Sequence, residues 1–212
     1  MDDSKRLSEK VRRDLFEPIM ETALAWSIVH IHADQIDKVN ILRATFQGMA
    51  TAVERVLGYE EERCEWPDRP IMRGMRLSRR GEVLEDACWY GEDMGEGAAP
   101  KGGDVVWGGV ESEEGEIGGV KVLVDGHQRF DVRGADVKRE EQQPIVKGDG
   151  LSVHIAAASI LAKVSRDRMM KMSDAVWPGY GFSGHKGYPT RGHKERLLSK
   201  GPSPIHRRSF RY

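Results

Sequence analysis

The stretch "KGDGLSVHIAAASILAKVSRD", residues 147–167, limits the folds open to this chain more than any other. Ile155, Ala156, Ala157, Ala158, Ile160, Leu161 and Val164 are apolar almost all round a helix, so that helix must be covered on several sides. The three alanines let its backbone come close to whatever packs on it. Arg166, Asp167, Arg168 and Lys171 mark where it should emerge into water. Two short runs precede it. "GVKVLVDG" (119–126) is near-continuously apolar, as in a strand buried on both faces, and "QPIVKGD" (143–149) is a second, shorter one. Strand, strand and buried helix in this order predict an α/β sheet, with Asp125 and Asp149 each at the carboxyl end of a strand, where α/β sites assemble.

Upstream, Leu7, Val11, Leu15 and Ile19 recur at helical spacing, with Ser8 placed to cap. "ALAWSIVHI" (23–31) is β-branched and aromatic in its second half and reads as a strand, with His30 and His32 on one face. From Ile36 to Val56 a helical period continues to Gly58, with Asp34 or Asn40 available as caps. Beyond Gly58 the apolar period stops. Residues 58–119 hold 16 acids, 7 bases and 13 of the 24 glycines, which predicts a flexible or weakly folded insertion, with "DVVWGGV" (104–110) its best strand. Three segments follow: 1–57 and 120–212 as two parts of one domain, and 58–119 between them.

The net charge of -1 hides an asymmetry, because residues 163–212 carry 12 bases and 3 acids. A cationic end of this kind suits a polyanion. Within it Trp177, Tyr180, Phe182 and Tyr188 alternate with His185, Lys186, Arg191, His193 and Lys194, so rings able to stack on sugars or bases lie beside charges able to pair with phosphates. Trp177 and Phe182 could equally anchor a loop to the core. Asp125 and Asp149, brought together, would repel and need a cation, and hard oxygen ligands select Mg²⁺ or Mn²⁺. Asp-Gly is also a turn signal. Cys64 and Cys88 fit neither a disulfide framework nor a paired zinc motif. No apolar run is long enough to span a bilayer, and the N-terminus lacks a secretory h-region, so a cytoplasmic protein is expected.

"DSKRLSEK", "LVDG", "KGDGLSVHIAAASILAKVSRD", "YGFSGHKGY" and "GPSPIHRRSF", in this order, resemble bacterial type 2 ribonuclease H, ribonuclease HII. The resemblance covers residues 3–57 and 120–210. It implies a ribonuclease H-like mixed sheet flanked by helices, and a monomeric endonuclease using Mn²⁺ or Mg²⁺. Such enzymes hydrolyse the RNA strand of RNA/DNA hybrids and incise DNA duplexes at embedded ribonucleotides, leaving 5′-phosphate and 3′-hydroxyl ends. Asp125 and Asp149 match two of the family's four metal-binding carboxylates, and Tyr188 matches the tyrosine that stacks on the sugar beside the 2′-hydroxyl. Lys5 would lie near the substrate phosphates, with His185 and Lys186 as neighbours of the site. The family pattern opens with two further strands, the first bearing the other two carboxylates. Met1 stands just after both, so the first two strands of the fold are expected to be missing, and with them much of the catalysis. An inactive homologue that only binds hybrid nucleic acid is the alternative.

Overall fold

The computed structural model describes residues 7–57, 120–132 and 137–210, together with the backbone of two short strands at 76–77 and 83–84. Lys5 and the strand expected at 104–110 lie outside the described residues.

Helix α1 (Glu9–Thr22) starts where its cap dictates, with Ser8 Oγ accepting from Val11 N at 3.3 Å. Phe16, Ile19 and Met20 on one side of it meet Ile160, Leu161 and Val164. These belong to α4 (Val153–Val176), the helix expected from the apolar run. Two exposed pairs, Lys171 with Glu9 at 2.9 Å and Arg168 with Glu17 at 3.5 Å, run along the same seam. Such pairs contribute about 0–1 kcal/mol each, so apolar burial dominates the α1–α4 contact. Helix α4 exposes Arg168 and Lys171 as expected, but it does not leave the core there. It continues to Val176, burying Met170 and Ser173 against the C-terminal part of the chain.

The segment 23–31 is not a strand. Only His30 makes an isolated bridge, although the side chains alternate as in one. Trp26 and Ile28 pack on the α1–α4 core, and His30 Nε2 lies 2.8 Å from Ser165 Oγ of α4, while Val29 and Ile31 pass close to Gly48 on the other side. An extended chain wedged between helices keeps the period of two, and among the described residues the single bridge at His30 is too little of a ladder to make it a strand. The neutral form of His30 is favoured by burial first and by His32 second.

The helical period of 36–56 is broken. Asn40 adopts φ 72°, ends α2 (Ala33–Val39), and caps α3 (Ile41–Val56) by accepting from Arg43 N at 3.1 Å. Asparagine is among the few non-glycine residues that tolerate positive φ, so the period runs on in sequence while the axis turns. Asp37 on α2 receives the C-terminal tail: Arg208 N donates to its Oδ2 at 2.7 Å, and Ser209 N and Oγ donate to its Oδ1 at 2.9 and 2.5 Å. Desolvation opposes its charge, but the bonds from Ser209 and Arg208 prevail and hold its carboxyl below the ordinary range. Its contribution is therefore present above the ordinary pKa of about 4 and lost as pH falls through the lowered value. Asp37→Ala is expected to cost about 1 kcal/mol and to expose the tail to carboxypeptidase, as a melting curve and a digestion time course would report.

Within 58–119, β1 (Arg76–Leu77) and β2 (Val83–Leu84) form an antiparallel pair, Arg76 opposite Leu84 and Leu77 opposite Val83. The other sheet is made of the two strands expected from 119–126 and 143–149: β3 (Val122–Asp125) and β4 (Gln142–Ile145) pair in parallel, with Asp125 opposite Ile145. Pro144 donates no ladder hydrogen bond, which suits a strand at a sheet edge. Helix α3 covers β3 through Ala50, Phe46, Met49 and Val53 against Val122, Val124 and Phe130, and α4 also meets β3. Short helices α5 (Phe182–His185) and α6 (Arg191–Lys200) complete the C-terminal part, where Met170, Tyr180, Phe182 and Leu197 form their own core. No helix among the described residues is long and apolar enough to cross a membrane.

Candidate metal and nucleic-acid site

Parallel pairing puts the ends of β3 and β4 side by side, and the chain leaving β4 turns directly toward α4. Lys147 takes a left-handed φ of 57° and starts a one-turn 3-10 helix, Gly148–Gly150, that carries Asp149. A Cβ at Gly148 would stand 2.5 Å from Ile155 Cδ1 and 3.4 Å from Ile145 Cβ, so a larger residue would have to push the Ile155 side chain aside. The turn therefore sits tight against the first turn of α4. Asp125 closes the arrangement: its Oδ1 accepts from Gly148 N at 2.9 Å, and Gly126 N donates to Ile145 O at 3.0 Å.

The two acids reach this rim in different states. Asp125 is exposed, whereas Asp149 is 4% exposed. Both offer hard carboxylate oxygens, the donor type that Mg²⁺ and Mn²⁺ prefer. Among the described residues no group of three or more His, Cys, Asp or Glu gathers to hold a metal. The pair fits a divalent cation in kind.

The four rings of the cationic end separate. Phe182 is fully buried, Tyr180 is buried with its hydroxyl donating to Gly201 O at 2.9 Å, and Trp177 packs against the same cluster. Tyr188 alone of the four is left 56% exposed. It ends a turn in which Lys186 and Gly187 both have positive φ, 51° and 79°. Arg166 of α4 ties that turn down, its guanidinium 4.8 Å from the Tyr188 ring centroid and its NH2 donating to Lys186 O at 2.9 Å. Lys186 Nζ bonds to Ser183 O. His185 faces inward, with Nε2 2.9 Å from Tyr180 O and Nδ1 accepting from Gly187 N at 3.1 Å. His185 is thus part of the turn's internal bonding, and one rigid helix, α4, joins the Asp149 turn to the Tyr188 turn. Arg166 had only been assigned to a solvent-facing end; "KVSRD" holds no local signal that its arginine would reach a ring 22 residues later.

A family model for ribonuclease HII matches residues 111–212. The curated ribonuclease HII of Syntrophomonas wolfei subsp. wolfei (strain DSM 2245B / Goettingen) is 36% identical over 210 residues, 99% of this chain. The chain belongs to the ribonuclease HII family. It spans 57% of the length of that relative. The small parallel sheet with helices packed on it agrees with the mixed α/β architecture expected of a ribonuclease HII, and the family is one of ribonuclease H hydrolases.

Proposed function

We propose that this chain acts on RNA/DNA hybrids and on DNA duplexes with embedded ribonucleotides, as an endonuclease that depends on a divalent cation and leaves 5′-phosphate and 3′-hydroxyl ends. The observation that carries the reading is the Asp125–Gly148 bond, which joins the end of one strand to the turn bearing Asp149. Asp125 and Asp149 would hold Mn²⁺ or Mg²⁺, which when bound supplies positive charge against a phosphodiester undergoing in-line hydrolysis. The residues of the chain do the rest: Tyr188 offers a ring for a sugar, Arg166 keeps that ring in place, and Lys186 and Lys5 pair with phosphates, while His185 shapes the turn. The protein works as a cytoplasmic monomer.

A binding-only role is the second reading, supported by the exposed Tyr188 ring and the cationic C-terminal part that carries it. Both are tested on a labelled DNA duplex containing one ribonucleotide, with Mn²⁺, Mg²⁺ or EDTA. Weak cation binding and slow cutting, stopped by EDTA, are expected. Retention of the duplex without cutting at any cation concentration would favour the second reading. Neither retention nor cutting would refute both.

A further inference from the structure

Three histidines stand behind the Tyr188 turn, and their hydrogen bonds leave one arrangement of protons. His193, in the first turn of α6, is 6% exposed and has Nδ1 2.9 Å from Tyr188 O. A carbonyl only accepts, so Nδ1 carries the hydrogen and Nε2 of the neutral ring is a lone pair. That lone pair lies 3.1 Å from Nε2 of buried His206, which must then be the donor. His206 Nδ1 is left to accept, and Ser203 N, an obligatory donor, points at it from 3.0 Å, with Ser203 Oγ at 2.7 Å. Reading from Ser203 or from Tyr188 leads to the same tautomers. His185 is stacked on His193 with centroids 3.9 Å apart; Gly187 N donates to its Nδ1, so its Nε2 carries the hydrogen toward Tyr180 O.

We propose that His193 is a positioning residue for Tyr188, oriented by His206 and Ser203 and effective only while all three imidazoles are neutral. The inference rests on the reading of Tyr188 as a contact to the duplex. A proton added to His193 sets two N–H groups against each other across 3.1 Å, and one added to His206 Nδ1 opposes Ser203 N. The surroundings do not favour such a proton. Arg196 donates to Tyr180 O at 3.1 Å and, with His193, repels charge on His185, against the bond to Tyr180 O and the charge of Asp174, which favour it. Burial, then the neighbouring imidazoles, keep His206 below the ordinary histidine value, and burial likewise leads for His185. The unfolded chain takes up the protons of His206 and His185 first, so the stability these two contribute is whole above about pH 6.5 and declines as pH falls below it.

The test has two parts. In ¹⁵N-labelled protein at pH 8, imidazole nitrogen shifts should report hydrogen on Nδ1 of His193 and on Nε2 of His206 and His185; any other set overturns the relay. Affinity for a fluorescent RNA/DNA hybrid duplex in EDTA then probes its purpose. His193→Asn, which keeps an N–H at the Nδ1 position, should bind within about threefold of the unaltered chain, and His193→Gln, which loses it, should bind about tenfold more weakly. In a Tyr188→Ala background the Gln substitution should cost nothing further. An equal loss in both backgrounds means general damage to the fold and overturns the proposal. If the unaltered chain binds no hybrid, the functional reading falls, while the tautomers still decide the relay.

Discussion

Asp125→Asn is expected to lower Mn²⁺-dependent cleavage by about 10²- to 10³-fold, with little change in melting temperature. The amide keeps the one interaction in which Asp125 takes part structurally, because its oxygen still accepts from Gly148 N. What it removes is charge, on the side of the pair that faces solvent. Asp125→Ala should differ in kind. It leaves Gly148 N without its partner, costs about 1–3 kcal/mol, and frees the turn that holds Asp149. Calorimetric titration with Mn²⁺ beside a thermal melt separates the two substitutions. Unchanged Mn²⁺ affinity in Asp125→Asn would remove Asp125 from the metal site, even if its role in the turn survived.

The largest loss of stability is expected at Gln142, which is 1% exposed. Its side chain imitates a strand: Oε1 accepts from Phe130 N at 3.0 Å and Nε2 donates to Phe130 O at 2.7 Å. Gln142 O also accepts from Arg129 Nε at 3.0 Å. The loop leaving β3 is thereby fastened to β4, which lets Phe130 pack against Phe46 of α3 with ring centroids 6.1 Å apart. Gln142→Met keeps the volume and leaves both backbone groups of Phe130 buried and unpaired, at a cost of about 2–5 kcal/mol. Gln142→Glu retains an acceptor for Phe130 N but, once ionised, has no donor for Phe130 O, and should fall between. Urea unfolding measures all three; a cost under about 1 kcal/mol for the methionine would mean that water satisfies Phe130 in its place.

Where the two aspartates stand was legible because it is encoded locally. Asp125 and Asp149 are placed by being the last residue of a strand and the middle of the turn that follows another, and Ser8 caps the helix it precedes. The readings that changed depend on partners distant in the chain. Residues 23–31 have the alternation of a strand, but a strand is defined by its neighbour, and this segment's neighbours are α3 and α4. A helical period continued through Asn40 because a turn in the axis leaves apolar spacing almost intact. Among the rings at 177, 180, 182 and 188 the sequence sets Tyr188 apart by its glycine-flanked turn beside Lys186 and leaves Trp177 and Phe182 as candidate anchors; that the other three are held inside depends on the core formed by Met170 and Leu197.

The sequence by itself determined that this is a ribonuclease HII chain, with two short strands, a buried helix after them and two aspartates at the strand ends. These features follow from period, composition and local turns, which act over a few residues. Only the tertiary structure decided that Asp125 holds the Asp149 turn, that Arg166 and His193 hold Tyr188, and that three histidines share one set of tautomers. A hydrogen bond is specified by position and direction to within fractions of an ångström, and that precision exists only after distant segments have packed together.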